Sequence, residues 1–448
     1  MALFFCDISD FMVKYIIVNT IYKGVTDLSA YKKIKGTQDI FGKEIDYWKY
    51  FEEKANDFMG RYAFNEIRTP IMEQTELFHR GIGEGTDVVQ KEMYTFDDKG
   101  GRSVTLRPEG TASAVRAYIE NSLMNMGSPI KLYYNGPMFR YEKPQSGRLR
   151  QFHQFGCEIF GTADVLADAE LISIAHNLFS EIGLRKYTIK INSIGKKEER
   201  ENYIKALKDY YGNYLSEMCD DCKVRYENNT MRLLDCKIDT QYAKNAPSIL
   251  DFLGEESKKD FENLKKYLDI LGVPYVVDPG IIRGLDYYNN TAFEIEHELL
   301  GAQGVIAGGG RYDGLVSEIG ANPTPAVGFA IGIERVILSM KAEGIEVSDE
   351  SPVDVYVIFS GEEAKKEALE ISNELRKRGI NVFMNISSRN FSAQMKHSNK
   401  INSKFTAIIG EDEVKEKIIT FKEMSNGEQT KVEKNWFLEI IEEKLKKQ

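Results

Sequence analysis

The sequence lacks the features of a secreted or membrane-spanning protein. Its five cysteines in 448 residues are odd in number and form no dense framework, which indicates free thiols and a reducing compartment. No apolar run approaches the ~18–20 residues that a spanning helix requires. Residues 1–22 include Asp7, Asp10 and Lys14 and have no basic start followed by a long apolar run, so they make a poor signal peptide. We therefore predict a cytoplasmic protein without a membrane segment.

The chain has no net positive charge, and two common nucleotide-binding loops are missing. The net charge is −10, so no global positive field attracts nucleic acid or an anionic membrane, and any RNA contact must use local basic patches. There is no Gly-x4-Gly-Lys-Ser/Thr loop, and the triple glycine at 308–310 does not have the spacing of a dinucleotide fingerprint. If ATP binds this chain, another device must hold it.

What is present is the composition and length of a folded protein with two or three domains. Hydrophobic residues make up 42% and charged residues 29%, and neither repeats nor low-complexity tracts interrupt the chain. Residues 1–30 have no helical or strand period, so we treat them as an N-terminal extension, either a disordered arm or the product of a mis-assigned start. Residues 45–62 have apolar side chains every three or four positions, which predicts a helix, and a proline at position 70 favours an extended segment next. Short β-prone runs then predict an antiparallel sheet, at 104–106, 131–135 and 151–158.

A change of periodicity separates the later regions. Residues 195–272 have helical spacing and many charges, which predicts a helical insertion, and short strands with glycines return from 280 to 332. A polar linker at 348–352 precedes a unit in which strand and helix alternate. In residues 352–448 about 17 Lys and Arg face 16 Asp and Glu, so this last unit repels RNA less than the rest of the chain. The elements predicted there are strands at 353–359, 381–385 and 405–409, a helix at 362–378 and a C-terminal helix.

Two arginines are candidates for a phosphate site. Arg140 lies in Gly-Pro-Met-Phe-Arg-Tyr-Glu at 136–142, and Arg335 ends Gly-Phe-Ala-Ile-Gly-Ile-Glu-Arg at 328–335. The planar guanidinium group can bind phosphate oxygens through two parallel hydrogen bonds, and it can stack on a purine. A lone arginine is more often a surface or ion-pair residue, so the surrounding motifs decide between these interpretations.

Those motifs resemble the three signature motifs of class II aminoacyl-tRNA synthetases. The matching segments, in the expected order, are residues 64–73 with Pro70, 139–142 through 156–158, and 328–335. Three others are similar to stretches typical of histidyl-tRNA synthetases: Arg-Gly-Leu-Asp-Tyr-Tyr at 283–288, Ala-Gly-Gly-Gly-Arg-Tyr-Asp-Gly-Leu at 307–315, and Thr-Leu-Arg-Pro-Glu-Gly-Thr at 105–111. The resemblance extends from about residue 33 to the C-terminus. It implies an α+β catalytic domain at 31–345, built on an antiparallel sheet flanked by helices with the insertion at about 195–272, and a C-terminal α/β anticodon-binding domain at 352–448.

The activity that this resemblance implies is ligation of histidine to its tRNA at the expense of ATP, with Mg²⁺. Arg140 would hold the α-phosphate, and Arg283 would lie opposite it, touching both the histidine carboxylate and that phosphate. Glu142 and Arg335 would complete the ATP site, and Pro70 would lie at a homodimer interface. The tRNA, specific for histidine, would be read by the last domain.

Six further residues would bind histidine by the same resemblance. Glu109, Thr111 and Gln154 would accept the ammonium group, whereas Glu158 and Tyr288 would face the imidazole. Some have a plainer interpretation: Tyr287 and Tyr288 would be core aromatics, and Glu158 would pair with an arginine in the core. The glycines of 308–310 would shape the amino acid pocket by the same resemblance, and their plainer interpretation is a turn. The implied histidine-binding set is Glu109, Thr111, Gln154, Glu158, Tyr287 and Tyr288.

One group of residues has the spacing of a metal site. Cys219 and Cys222 are separated by two residues, and Cys236 follows. A structural zinc site usually has four Cys or His ligands, and no histidine is close in the sequence. We therefore expect no closed zinc site, and no metal-ligating residue is predicted.

Two other functions remain open at this point. A regulatory subunit of histidine biosynthesis that resembles these synthetases would bind ligands without catalysis, but such proteins usually lack both the segment at 283–288 and the C-terminal domain, which this chain has. A pure RNA-binding protein is the second alternative. ATP–pyrophosphate exchange measured with each of the twenty amino acids separates all three.

Overall fold

The computed structural model describes residues 31–83, 86–236, 238–282, 285–347, 353–386 and 390–447. The chain divides into two compact units, Met1–Val347 and Ser348–Gln448, and each has its own hydrophobic core. The predicted N-terminal extension at 1–30 and the linker at 348–352 lie outside the described residues. Within the described ranges, no helix has the length and apolar character needed to cross a membrane.

Strands and helices alternate irregularly along the first unit and more regularly along the second. In chain order the strands are β1 (Asn65–Glu66), β2 (Met72–Gln74), β3 (Tyr94–Asp97), β4 (Ser103–Leu106), β5 (Ile130–Phe139), β6 (Gln151–Phe160), β7 (Tyr187–Ser193), β8 (Val276–Val277), β9 (Asn289–His297), β10 (Val305–Arg311), β11 (Ala326–Gly332), β12 (Val355–Phe359), β13 (Val382–Met384), β14 (Phe405–Ile409), β15 (Ile418–Glu423) and β16 (Gln429–Glu433). The α-helices are α1 (Lys43–Arg61), α2 (Thr75–Ile82), α3 (Thr111–Glu120), α4 (Leu166–Glu181), α5 (Lys197–Gly212), α6 (Asp220–Asn228), α7 (Thr240–Ala243), α8 (Glu255–Ile270), α9 (Leu315–Glu318), α10 (Ile333–Ala342), α11 (Glu362–Lys377), α12 (Phe391–Lys400), α13 (Glu411–Glu416) and α14 (Lys434–Leu445).

An eight-stranded sheet forms the centre of the first unit. Its order is β1-β5-β6-β11-β10-β9-β7-β8, and every pair from β5 to β7 is antiparallel. The predicted fold class is confirmed, with one feature that the sequence did not show: the edge strands β1 and β8 pair in parallel with β5 and β7. Each edge strand has two residues, too few for a periodic pattern to reveal. The strands β2, β4 and β3 form a separate small sheet.

Helix α1 follows from its apolar spacing and packs on one face of the large sheet. Tyr47, Phe51, Ala55 and Phe58 are buried along one side of it. Glu44 and Asp46 lie in the first turn and Arg61 in the last, the arrangement that favours a helix dipole. Together with α4 and α10, α1 covers the core that supports the cleft described below.

The predicted insertion consists of α5 to α8 between β7 and β8. Helix α8 packs against α4 of the catalytic layer. The segment between α5 and α8 has its own small core, which includes Tyr203, Leu207, Tyr211 and Cys222. Two of the helices in this segment are short: α6 has nine residues and α7 has four.

The second unit is a five-stranded sheet in the order β13-β12-β14-β15-β16. The first three strands are parallel and connected through α11 and α12, as expected of alternating strands and helices. The sequence did not predict α12 or the hairpin β15–β16. Strand β16 is a polar edge strand that alternates between exposed and half-buried residues, so it has little of the hydrophobic signal on which strand prediction depends.

Candidate active site

An open cleft on the first unit contains most of the predicted site residues. It holds roughly 930 Å³ of space, open solvent included. Strands β6, β10 and β11 form its floor, while the start of α3 and the start of α10 contribute side chains. The predicted residues that line it are Glu109, Thr111, Arg140, Glu142, Gln154, Tyr287, Tyr288 and Arg335. Glu158 is not among the lining residues, and Arg283 lies outside the described part of the chain.

The two candidate arginines lie in this one cleft although 195 positions separate them in the sequence. Arg140 donates through Nε to the carbonyl oxygen of Pro108 at 2.9 Å, and its guanidinium carbon lies 5.4 Å from the centroid of the Phe152 ring. The Arg335 guanidinium is held at all three nitrogens. Its Nε donates to the carbonyl of Gly147 at 2.9 Å, and its two terminal nitrogens donate to the carbonyl of Val305 and the side chain of Gln303.

Positive charge is concentrated in the cleft, because Arg140 and Arg335 donate to neutral oxygens there. Arg148 also lines the cleft and pairs with Glu142 at 2.6 Å between Nε and Oε2. Burial lowers the pKa of Arg335, and the neighbouring charges of Arg148 and Arg140 lower it further. Guanidinium groups that are partly desolvated and mutually repulsive favour an anionic ligand between them.

Uncharged and acidic acceptors occupy another part of the cleft. The Glu109 carboxylate accepts from the backbone nitrogens of Thr111 at 2.6 Å and Ala112 at 2.8 Å, so it caps the first turn of α3. Burial nevertheless raises the pKa of Glu109. The Gln154 Oε1 atom is buried and accepts no hydrogen bond from the described residues. A buried acceptor without a donor is costly, so a donor from a ligand would stabilise this site.

Beneath Thr111 lies a fully buried carboxylate, Glu158, surrounded by hydroxyl groups. Its Oε1 accepts from Thr111 Oγ1 at 2.8 Å and from the Tyr134 hydroxyl at 3.1 Å, and its Oε2 accepts from the Tyr312 hydroxyl. Burial raises the pKa of Glu158 to about 8, although the hydroxyl donors oppose the shift. A carboxylate oxygen has two lone pairs, so Oε2 keeps one acceptor position for a ligand N–H. The interpretation of Glu158 as the partner of a core arginine is wrong, because its described partners are hydroxyls.

The sequence did not indicate that two tyrosines, Tyr134 and Tyr312, donate hydrogen bonds to Glu158. Tyr312 belongs to the quoted segment 307–315, so the motif contained it but did not reveal its partner. Tyr134 is a buried residue of β5, the strand that pairs with β6, to which Glu158 belongs. Neither contact can be read from the sequence. Tyr312 lies 154 positions from Glu158 along the chain, and Tyr134 lies 24 positions from it.

The triple glycine provides space in a strand and does not form a turn. Residues 308–310 lie within β10, so the alternative interpretation as a turn is wrong, and Gly308 lines the cleft as the pocket interpretation predicts. A Cβ on Gly309 would lie 2.1 Å from the carbonyl oxygen of Gly328, and a Cβ on Gly328 would lie 1.6 Å from Oε2 of Glu158. These glycines are therefore required by close approach: the first lets β10 lie against β11, and the second leaves room for the buried carboxylate.

For the two consecutive tyrosines, the core and pocket interpretations are both correct. Tyr287 and Tyr288 are buried in one hydrophobic cluster with ring centroids 4.6 Å apart, and both line the cleft. The Tyr288 carbonyl accepts from Arg200 at 2.7 Å. Arg200 belongs to α5, so this contact joins the insertion to the rim of the cleft.

The three cysteines Cys219, Cys222 and Cys236 lie beside a fourth potential metal ligand. Cys219, Cys222, Cys236 and Asp239 place one sulfur or carboxylate oxygen each within 4.8 Å of one another. The expectation of no closed zinc site assumed that a fourth ligand was missing. That premise does not hold, because only Cys and His were considered and an aspartate occupies the position.

The fold and the cleft together define a class of enzyme. A central antiparallel sheet, a cleft with arginines contributed by the second and third signature motifs, and a separate α/β unit after it are the features of class II aminoacyl-tRNA synthetases. Enzymes of this class use ATP as a substrate.

Comparison with known proteins specifies the family within this class. The family model of histidyl-tRNA synthetases matches residues 36–336, and that of the anticodon binding domain matches 354–444. The histidine–tRNA ligase of Fervidobacterium nodosum is 54% identical over 416 residues, 93% of this chain and 99% of the relative. That of Thermotoga petrophila is 52% identical over 93% of this chain and 99% of its own length. The chain belongs to the histidyl-tRNA synthetase family.

Solved structures agree with this assignment. The apo histidyl-tRNA synthetase of Staphylococcus aureus has a TM-score of 0.78 and 40% identity, covering 92% of this chain and 99% of that one. A Bacillus halodurans protein described as an ATP phosphoribosyltransferase regulatory subunit/histidyl-tRNA synthetase has a TM-score of 0.63 at 20% identity, covering 85% of this chain and 98% of that one. The second likeness shows the shared fold alone.

Proposed function

We propose that this protein activates L-histidine with ATP and transfers it to the 3′ end of the tRNA for histidine. The observation that carries the proposal is the cleft itself. Arg140, Arg148 and Arg335 supply charge for a polyphosphate, and Glu109 and Gln154 supply acceptors for an ammonium group in the same cavity. An amino acid and ATP bound there would have their reacting groups side by side.

In the first step a carboxylate oxygen of histidine attacks the α-phosphorus of ATP. The new P–O bond forms as the bond to the β-phosphate oxygen breaks, giving histidyl-adenylate and pyrophosphate. No protein base is needed, because the attacking carboxylate is already ionised. Arg140 would contact the α-phosphate and stabilise the charge that develops there, with Arg283 on the opposite side by family resemblance.

The remaining ATP contacts would come from Arg335 and Glu142. Arg335 is fixed by three hydrogen bonds, so it presents a preorganised cation on the adenine and γ-phosphate side. ATP would enter as its Mg²⁺ complex, and the ion would offset negative charge on the leaving pyrophosphate.

Recognition of histidine would divide between its two ends. Glu109, Gln154 and Thr111 would take the ammonium group, which supplies the donor that Gln154 Oε1 lacks. Glu158 and Tyr288 would face the two nitrogens of the imidazole, and Tyr287 would line the pocket beside them. Hydroxyl groups hold Glu158 in place, so its direction is set before the substrate arrives.

In the second step the 3′-hydroxyl of the terminal adenosine attacks the carbonyl carbon of the adenylate. The ester forms, AMP leaves with the electron pair of the broken bond, and the hydroxyl proton passes to solvent or phosphate. The Ser348–Gln448 unit would read the anticodon, because it is a separate body and carries a nearly balanced charge.

We also infer a homodimer through the segment around Pro70. Ile71 and Met72 are 43% and 55% exposed there, beside an open groove lined by Pro70 and Leu77. Exposed apolar residues on a groove are typical of a surface that a partner covers.

The site of action would be the cytoplasm, which would keep the four cysteines described as free in their reduced state.

The first test is ATP–pyrophosphate exchange with each of the twenty amino acids. We expect exchange with histidine alone, because a pocket that hydrogen-bonds its substrate rejects analogues without the matching groups by as much as ~10⁴–10⁵. A regulatory subunit or a pure RNA-binding protein would support no exchange. Exchange with another amino acid and none with histidine would contradict the proposal.

A second test separates the two units. A chain that ends near Ser351 should still form histidyl-adenylate but should charge tRNA poorly, because activation chemistry and anticodon reading lie in different units. The truncated chain should fold, since the two units have separate hydrophobic clusters. Exchange and aminoacylation are measured on the same preparation, and an equal loss of both activities would contradict the division.

A further inference from the structure

A second cluster of reactive groups lies outside the cleft, in the helical insertion. We name Cys219, Cys222, Cys236 and Asp239 the sulfur cluster. Cys222, Cys236 and Asp239 are buried, whereas Cys219 is partly exposed, so one side of the cluster is open to solvent. Neither activation of histidine nor transfer to tRNA uses these residues.

The distances within the sulfur cluster match those of a tetrahedral metal site. Two thiolates bound to zinc at ~2.3 Å in a tetrahedron lie about 3.8 Å apart. The Cys219 and Cys236 sulfurs are 3.8 Å apart, and the Cys236 sulfur lies 3.6 Å from Asp239 Oδ2. All four ligand atoms lie within 4.8 Å of one another, so small side-chain rotations suffice to close the tetrahedron.

Local backbone structure holds the four groups in this arrangement. Cys219 is the N-cap of α6 and Cys222 lies in the first turn of that helix, so the helix sets the spacing of these two sulfurs. The amide of Asp239 donates to the Cys236 sulfur at 3.3 Å, and the amide of Cys219 donates to Asp239 Oδ2 at 3.0 Å. Such hydrogen bonds to ligand atoms orient them before a metal binds.

The surrounding segment has a structural need that a metal would meet. Between α5 and α8 the chain forms two short helices, α6 and α7, and three short 3₁₀ helices around them. Their shared core is small; Cys222 and Cys236 belong to it, and Cys219 packs against it. Small units with limited cores are commonly stabilised by a disulfide or a structural metal.

We propose that the sulfur cluster is a structural zinc site with three thiolates and one carboxylate as ligands. Soft thiolates in a tetrahedron select zinc among the abundant divalent ions. The zinc ties α6 to the chain that precedes α7 and so stabilises the insertion, which contacts the rim of the cleft through Arg200.

The test begins with the metal content of the full-length protein, purified without chelators and under reducing conditions. We expect about one zinc per chain by mass spectrometry of the metal. Cys222→Ser should lower this content at least ~10-fold, as loss of a ligand does. Cys157→Ala should leave it unchanged, because Cys157 lies in β6 with its sulfur against that of Met59, away from the cluster.

Cobalt reports the coordination without relying on activity. Replacing zinc with Co²⁺ should produce tetrahedral absorption bands in the visible range and thiolate-to-cobalt charge-transfer bands in the near ultraviolet. Asp239→Cys should keep the metal and intensify the charge-transfer bands, since a fourth thiolate replaces the carboxylate. Asp239→Ala should weaken binding while Cys219, Cys222 and Cys236 stay reduced.

Two results would overturn the proposal. One is wild-type protein with less than about 0.1 metal per chain that takes up no cobalt. The other is a disulfide between Cys219 and Cys236 in protein kept under reducing conditions, detected by thiol counting and non-reducing peptide mapping. If Cys222→Ser fails to fold, Asp239→Cys and the cobalt spectrum of the wild-type protein still decide the question.

Discussion

Arg140→Ala is expected to slow histidine-dependent ATP–pyrophosphate exchange at least ~100-fold, because removing one preorganised charge-stabilising group typically costs ~3 kcal/mol or more. Arg140 lines the cleft and its guanidinium group is fixed by the Pro108 carbonyl, so its charge is in place before ATP binds. Exchange rates at saturating ATP and histidine measure the effect, and circular dichroism verifies the fold.

The matched control is Arg102→Ala, which removes an arginine that is 78% exposed and pairs with Asp98 outside the cleft. Its exchange rate should be unchanged, since surface pairs contribute ~0–1 kcal/mol to stability and Arg102 has no access to the substrates. From the family resemblance, Arg283→Ala should cause a loss similar to that of Arg140→Ala. Near-normal exchange in folded Arg140→Ala protein would refute the phosphate role.

Glu158→Gln is expected to lower the efficiency of histidine activation by ~1.5–3 kcal/mol, about tenfold to a hundredfold, the range for a hydrogen bond to a charged group. The substitution keeps the size of the side chain but presents a neutral amide to the imidazole N–H. ATP affinity should change little, because Arg140 and Arg335 remain in place. Michaelis constants for histidine and ATP, measured separately, show which substrate is affected.

The pH profile distinguishes recognition from a purely structural role. Since burial raises the pKa of Glu158 to about 8, its carboxyl group is mostly neutral below that pH and becomes ionised as the pH rises through it. If the ionised form accepts the imidazole N–H, histidine use by the wild-type protein should improve between about pH 7 and 8. Glutamine does not ionise, so the variant should lack this improvement.

Glu343→Gln is the structural control for this experiment. Glu343 is also a buried carboxylate, and it accepts from the backbone of Arg185 and Lys186 and from His297, away from the cleft. Its replacement should lower the melting temperature without changing either Michaelis constant. If Glu158→Gln behaves in the same way, or leaves the histidine response intact in a folded protein, Glu158 has no part in choosing histidine.

Much of the fold could be predicted from short-range patterns. The apolar spacing in α1, the strands β5 and β6, and the alternation of strand and helix in the second unit are local signals, and each of these elements forms close to its predicted bounds. The strands that were missed, such as β8 and β16, are two-residue or polar edge strands, whereas β1 lies in the predicted extended segment before Pro70. The strand conformation of β8 and β16 comes from pairing with a neighbour and not from their own side chains.

The candidate site divides in the same way. Motifs identified the arginines, Glu109, Gln154 and the tyrosines because their neighbours along the chain identify the family. They did not reveal that Tyr312 and Tyr134 hold Glu158, or that Asp239 completes the sulfur cluster. For 308–310 the pocket and turn interpretations both stayed open, because a glycine run does not show whether space or backbone conformation requires it.

The sequence by itself therefore determined the family, many of the helices and strands, and eight of the residues that line the cleft, since these are properties of segments. Only the tertiary structure decided which of those residues share a cavity, which carboxylate is buried among hydroxyls, and which side chains surround the cysteines. The physical reason is that a pKa, an unpartnered acceptor or a metal geometry depends on atoms brought together across the sheet. In Glu158 the chain supplies an ordinary carboxyl group, and burial raises its pKa to about 8 although the hydrogen bonds from Thr111, Tyr134 and Tyr312 oppose the shift.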